Sequence, residues 1–264
     1  MSQQNFDGKV VIITGSSSGI GQAAAVLFAK LGASVTIHGR SENGLQKTME
    51  MLLEAKIPKE KIHSVRGAVT EESVLKALID ETVSKFGRID ILINNVGISN
   101  KEGETNERTM ENLDYILNVN LKSIIHLTEL AIPHLEKTKG NIINVSSIAS
   151  QMSGAAYPFY SISKAALDHF ARNYAAILAP SGIRINNLNP GLTNTSFLTR
   201  HGMPEEMKQK IIEKYHVPLG RWGTSEEMAE FFAFMASDQA SYMTGQCINV
   251  DAGILINSPT IKFD

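Results

Sequence analysis

KVVIITGSSSGIGQAAAVLFAKLG, residues 9–32, decides the fold. Lys9 to Thr14 is a short β-branched run, apolar at successive positions, which suits a strand buried on both faces. GQAAAVLFAKLG has helical spacing, with Gly32 placed to stop it. Between them Thr14-Gly15-Ser16-Ser17-Ser18-Gly19-Ile20-Gly21 turns the chain from strand to helix. A glycine-rich turn there lets the backbone approach a pyrophosphate, which rests on the N–H groups at the helix start. The spacing is G-x-x-x-G-x-G, not the general G-x-G-x-x-G of dinucleotide-binding turns. The same residues also read G-x-S-x-G around Ser17, the nucleophile elbow of hydrolases. That reading lacks a late triad base, because no histidine follows His216.

Moving outward, the same alternation repeats. Further runs are SVTIH (Ser34 to His38), KIHSV (Lys61 to Val65), DILIN (Asp90 to Asn94), NIINVS (Asn141 to Ser146), IRINNLN (Ile183 to Asn189) and CINV (Cys247 to Val250). Helical patterns lie between them, and Gly87 and Gly182 are placed as stops like Gly32. Seven strands with intervening helices predict an α/β fold, a doubly wound parallel sheet with right-handed crossovers and helices on both faces. No linker divides the chain, so residues 1–264 read as one domain. Lys101 to Glu111 reads as a solvated loop entering a helix.

Composition narrows the function. The chain is 43% hydrophobic and 20% charged with a net charge of -2, which gives no reason to expect nucleic acid or an anionic membrane as partner. Cys247 is the only cysteine, so neither an intrachain disulfide nor a cysteine-rich metal site is possible. One cysteine and seven scattered histidines do not supply the ligand set of a metal-dependent alcohol dehydrogenase. MSQQNFDGKV has neither the basic nor the apolar region of a secretory signal, and IKFD matches no lipid or peroxisomal address. The N-x-S/T triplets at Asn144 and Asn194 are chance matches in that context. The expectation is a soluble cytoplasmic protein without a membrane span.

The chemistry is carried by FYSISKAALDHF. Tyr160 and Lys164 are four residues apart in a helical pattern and share one helix face. A phenol ordinarily ionises near pH 10, and a nearby ammonium would lower that and make it an acid/base. Ser147 stands thirteen residues before Tyr160, at the carboxyl end of a strand, where open α/β sheets bind their ligands. Pro190-Gly191 ends the next strand on the same edge.

With TGSSSGIG at Thr14, NNVG at Asn94, NVN ending at Asn120, the serine at Ser147, YSISK at Tyr160, NPGLTNT at Asn189 and SDQASYMTGQCINVDAG from Ser237, the sequence resembles a short-chain dehydrogenase/reductase over nearly its whole length. The resemblance implies a Rossmann-type fold and a nicotinamide cofactor. Tyr160 would donate the proton in reduction and accept it in oxidation. Lys164 would lower the tyrosine pKa and hold the nicotinamide ribose, Ser147 would hydrogen-bond the substrate carbonyl, and Asn120 would keep a water in a proton relay. Gly15, Ser16, Ser17, Ser18, Gly19, Ile20 and Gly21 would cradle the pyrophosphate. Asn94 and Gly97 would pass near the adenosine half, although Asn94 equally reads as a tether between strands. Val69, Pro190, Gly191, Thr193 and Thr195 complete the implied cofactor contacts. The pattern departs at Val96, usually alanine, and at Ala68, where an aspartate usually faces the adenine. Ser146 reads as strand-end structure. An enoyl-thioester reductase usually spaces its tyrosine and lysine differently, which favours carbonyl chemistry.

Cofactor choice rests on the end of the second strand. NAD enzymes usually place an acid there for the ribose 2′-hydroxyl. Here Gly39 takes that position and Arg40 follows, a planar fork suited to a 2′-phosphate. Ser41, Asn43 and Ser16 are candidate further donors. Glu42 fits the first turn of the next helix. NADP(H) is therefore favoured over NAD(H). Residues 194–217 are expected to form a substrate lid. Phe197, Leu198, Met203, Met152, Tyr157 and Phe159 are expected to make an apolar pocket for a ketone, aldehyde or secondary alcohol. Phe231, Phe232, Phe234 and Met235 exceed what one helix face needs, and with the resemblance they imply a homotetramer. ILINSPTIKF could instead cover them within one chain. An NAD(H)-dependent alcohol dehydrogenase and a non-catalytic dinucleotide-binding protein are the alternatives.

Overall fold

The computed structural model describes residues 4–101, 103, 108–197 and 207–257. Seven strands form one sheet in the order β3-β2-β1-β4-β5-β6-β7, and every pairing is parallel. They are β1 (Val10–Ile13), β2 (Ser34–Gly39), β3 (Ile62–Arg66), β4 (Ile91–Asn94), β5 (Asn141–Val145), β6 (Arg184–Pro190) and β7 (Cys247–Val250). These are the seven expected runs, with most ends shifted by a residue. Parallel strands cannot be joined by hairpins, and the helices that cross between them cover both faces.

The helices are α1 (Gly19–Lys30), α2 (Glu42–Glu54), α3 (Glu72–Phe86), α4 (Met110–Leu117), α5 (Ser123–Thr138), α6 (Pro158–Leu178), α7 (Met207–Lys214) and α8 (Ser225–Ala236). One core lies between α1, α2, α8 and the sheet, where Phe28, Leu52 and Phe232 meet Val11, Ile13, Ile37 and Ile93. The other lies between α3, α5, α6 and the opposite face, where Leu78, Leu135 and Leu167 meet Ile12, Leu92 and Ile142. Val11 and Ile13 thus face one layer and Ile12 the other, which is why this strand is apolar at every position. Gly87 closes α3 in the left-handed region, with φ 77°, as its placement predicts.

The sheet order reverses between β1 and β4. The chain leaves β1 toward β2 and β3, then returns to pair β4 on the other side. The loops above these two strands therefore diverge, and the crevice between them is where this architecture binds ligands. Leu198, Met203, the middle of the expected lid and residues 258–264 of the C-terminal tail lie outside the described residues.

Candidate active site

A cavity of about 430 Å³ opens along the carboxyl ends of the strands. At one end stands the glycine turn. Gly15 has φ 67°, and a Cβ there would lie 2.9 Å from Asn95 Nδ2. Asn95 ties the turn down by donating through Nδ2 to the carbonyls of Thr14 at 2.9 Å and Gly15 at 3.1 Å. Gly15, Ser17, Ser18, Gly19 and Ile20 line the cavity. Ser18 stands before α1 without capping it by its side chain, so the helix start faces the cavity uncapped by that hydroxyl. This is the setting in which a helix start takes a phosphate.

Two residues of the turn do other work. Ser16 is fully buried; its hydroxyl donates to Ile13 O at 2.9 Å and accepts from His38 N at 2.8 Å, so it is no donor to a 2′-phosphate. Gly21 packs α1 on the turn, since a Cβ there would lie 2.6 Å from Gly15 O, and it does not line the cavity.

Beyond β2, Gly39 and Arg40 line the cavity. A Cβ at Gly39 would lie 2.7 Å from Ser17 Oγ, so the position has no room for an acidic side chain while Ser17 stays in place. Glu42 is engaged by Arg66 at 2.6 Å. Ser41 caps α2 by accepting from Gly44 N at 3.1 Å, Asn43 sits in the first turn, and neither lines the cavity. Ala68, Val69 and Thr70 form the next wall. His38, which the sequence reading did not single out, links these parts. It accepts from Gly15 N at Nδ1 (3.3 Å), so Nε2 carries the proton toward Gly67 O at 3.2 Å. Burial pushes His38 down to about 4, against the opposing pull of the Gly67 carbonyl.

Asn94 belongs to the sheet. It is 1% exposed and donates to Asn144 Oδ1 at 2.9 Å. The tether reading therefore holds; it is Asn95, one residue on and on the opposite side of the strand, that reaches the cavity. Asn144 is fully buried in β5, which rules out glycosylation of the folded chain there.

The other side of the cavity is built on β5 and α6. Ser147 follows β5 in an extended conformation, its hydroxyl accepts from Ala149 N at 3.1 Å, and it lines the cavity together with Tyr160. Pro158 opens α6, where its missing N–H costs no helix bond, and two turns of the helix carry Tyr160 and Lys164 to the cavity. Lys164 is 2% exposed and donates from Nζ to Val145 O at 2.7 Å. Burial pushes its ammonium down to about 8, while the charge of Asp168 acts the other way. The expected lowering of Tyr160 is not what this structure shows. Burial holds the phenol above its usual value, the Ser147 hydroxyl opposes that, and the lysine points at a carbonyl with its nitrogen 5.7 Å from the ring centroid.

Asn120 sits in a π-helical turn, Asn118–Lys122, between α4 and α5. Its amide accepts from Ile98 N at 2.9 Å and donates to Ile98 O at 2.8 Å and Ser163 Oγ at 3.0 Å. It thereby holds the strand-end loop against α6, where a Cβ on Gly97 would lie 3.3 Å from Lys164 Nζ. Asn120 itself is not on the cavity wall. Pro190, Gly191, Thr193 and Thr195 are.

The far end is apolar. Ile148, Met152, Leu192, Phe197, Tyr215 and Ile254 line it, and the Phe197 ring lies 5.9 Å from that of Tyr160. Tyr157 and Phe159, expected there, do not line it: Tyr157 is the N-cap residue before α6, and Phe159 lies in its first turn. Among the described lining residues the cations are Arg40 and Lys164, and there is no carboxylate.

A family model described as enoyl-(acyl carrier protein) reductase matches residues 15–255. The 3-oxoacyl-(acyl-carrier-protein) reductase FabG of Thermotoga maritima is 35% identical over 252 residues, covering 95% of this chain and 99% of that protein. A Caenorhabditis elegans short-chain dehydrogenase/reductase of unknown function, solved with cofactor, superposes with a TM-score of 0.91 at 37% identity, covering 96% of this chain and 97% of the other. The chain belongs to the short-chain dehydrogenase/reductase family. The apo glucose dehydrogenase of the same nematode is similar at 40% identity and a TM-score of 0.85, covering 96% and 99%.

Members of this family bind a nicotinamide dinucleotide and are oxidoreductases. The residues of this chain fit such a group. The glycine turn, the start of α1, the cation Arg40 and the acid-free wall suit a polyanion at one end, and Tyr160, Lys164 and Ser147 stand at the other. Sequence reasoning named the glycine turn, Ser147, Tyr160 and Lys164, and the structure brings them to one cavity. The same reasoning missed His38 and Asn95, although Asn95 lay within the NNVG motif.

Proposed function

We propose that this chain is a single-domain NADP(H)-dependent oxidoreductase that interconverts a ketone or aldehyde and the corresponding alcohol. The observation that carries the reading is that Tyr160, Ser147 and Lys164, the lysine one helical turn beyond the tyrosine, line one cavity at the junction of an acid-free cradle and an apolar pocket. When bound, the nicotinamide supplies or takes the hydride at its C4. Ser147 donates to the substrate carbonyl oxygen and fixes its carbon. As that oxygen gains negative charge, the Tyr160 hydroxyl gives it a proton, and in alcohol oxidation the phenolate takes the proton back. Lys164 holds positive charge beside the phenol, which favours the phenolate left after the transfer. The apolar lining selects substrates without charge near the reacting carbon.

NADP(H) is favoured because Gly39 leaves no acidic partner for a ribose 2′-hydroxyl, while Arg40 is available to a 2′-phosphate. We further propose a cytoplasmic homotetramer working on small molecules. The deciding measurement is consumption of NADPH and of NADH with apolar ketones, aldehydes and an enoyl thioester, in the native protein, Tyr160→Phe and Arg40→Ala. Ketone reduction with NADPH should be lost in Tyr160→Phe. Arg40→Ala should raise the KM for NADPH about tenfold or more and leave that for NADH nearly unchanged. A fully active Tyr160→Phe, or activity on the enoyl thioester alone, overturns the assignment.

A further inference from the structure

Asp168 is a buried titratable group that this reaction scheme does not use. It is 3% exposed on α6, one turn beyond Lys164, which is one turn beyond Tyr160. The three share a helix face. Its carboxylate gathers three donors: Asn187 Nδ2 on Oδ1 at 2.9 Å, and Ser150 Oγ at 2.6 Å and Asn189 Nδ2 at 2.9 Å on Oδ2. Ser150 accepts from Asn189 at 3.1 Å, so its own hydrogen is directed at the carboxylate. Three donors on two oxygens occupy most of the acceptor sites of the carboxylate, the role an ionised carboxylate can fill.

Asn187 ends a ladder of asparagines across the sheet. Asn94, Asn144 and Asn187 stand in register on β4, β5 and β6. Asn94 donates to Asn144 and Asn144 to Asn187, each at 2.9 Å, and Asn187 donates to Asp168. Every N–H in this relay points toward the carboxylate, so the bonds reinforce one another and support the charge. The charged groups around Asp168 are few. Its own helix carries Lys164 and Arg172 one turn to either side, and β7 brings the Cys247 thiol to 3.8 Å from its backbone carbonyl. β6 and the turn after β5 contribute amides and a hydroxyl.

A buried charge is costly, and an apolar side chain in its place would often be as stable. Lys164 has a need for one. Its ammonium donates to the Val145 carbonyl, a dipole and not a charge. We propose that Asp168 is a positioning residue, a fixed buried anion that holds Lys164 as an ammonium ion and acts on Tyr160 through it. This rests on the assignment of Tyr160 as acid/base. Burial pushes Lys164 down to about 8, and the Asp168 charge is what opposes it.

The test is the pH profile of alcohol oxidation. Its rate rises as phenolate forms and falls as the lysine loses its proton, the two limbs belonging to the coupled pair. Removing a negative charge favours proton loss from both groups. Asp168→Asn should therefore move both limbs to lower pH by about one unit, while Asp168→Glu, which keeps the charge, should leave them near their native positions. The ε-nitrogen resonance of Lys164 in lysine-labelled protein, identified by its absence in Lys164→Met, should titrate lower in Asp168→Asn by a similar amount without substrate. Should Asp168→Asn not fold, Asp168→Ser leaves room for water against the three donors and carries the same measurements. Limbs and a lysine titration that stay in place while activity or stability falls make Asp168 a packing residue and overturn the proposal. A Tyr160→Phe enzyme that stays active overturns instead the reading on which it rests.

Discussion

His38 shows what one buried side chain contributes and when that contribution is lost. It is 1% exposed, and it joins the glycine turn to the loop after β3 while neutral. An unfolded histidine takes up a proton near pH 6.5, whereas this one resists protonation down to about 4. Below 6.5 the unfolded chain binds more protons, so the stabilisation is complete above that pH and falls away toward 4. Urea unfolding at pH 5 should show a loss of roughly 2 kcal/mol relative to pH 7.5 from this group. His38→Gln should lose that share of the pH dependence; an unchanged dependence would show that His38 is not its source. Neighbouring polar residues divide in the same way. Ser16 and Asn94 turn inward while Ser17 and Asn95 meet the cavity. Their order in a motif does not reveal which, because side-chain direction follows from local backbone and packing.

At the scale of elements, α8 separates packing from surface. Thr224 accepts from Glu227 N at 3.1 Å and Glu227 Oε2 accepts from Thr224 N at 2.8 Å, a reciprocal box that defines the helix start. Phe232 and Met235 are at most 1% exposed against α1 and the sheet, while Phe231 and Phe234 are 39% and 40% exposed. Phe232→Ala should cost about 3–5 kcal/mol in chemical denaturation. Phe231→Ala should change monomer stability by only about 0.5 kcal/mol, and a large loss there would show that the helix is docked differently. The seven strands and most helices were legible because apolar runs and helical spacing are local properties. The π-helical turn at Asn118–Lys122 was not. Its extra residue is held by Asn120 reaching Ile98 and Ser163, contacts distant in sequence and close only after folding.

For the whole molecule, Phe231, Phe234 and Tyr242 leave apolar surface around α8 and the chain leading to β7, with Tyr242 fully exposed. The proposed tetramer would cover it. Sedimentation velocity should give a species four times the mass of one chain, and Phe231→Ser with Phe234→Ser should shift it toward smaller species without loss of the fold. A monomer at micromolar concentration would overturn the assembly. The sequence by itself determined the alternation of strands and helices, the cradle between β1 and α1, and the pairing of Tyr160 with Lys164. Each depends on residues within a few positions of one another, where spacing and backbone geometry suffice. Only the tertiary structure decided that Asn94 is a tether and Asn95 a wall, and that burial raises the Tyr160 phenol in place of the expected lowering. It alone gathered Ser150, Asn187 and Asn189 around the Asp168 carboxylate, with a ladder of amides behind them. Those outcomes depend on desolvation and on partners from four separate segments, which no local pattern encodes.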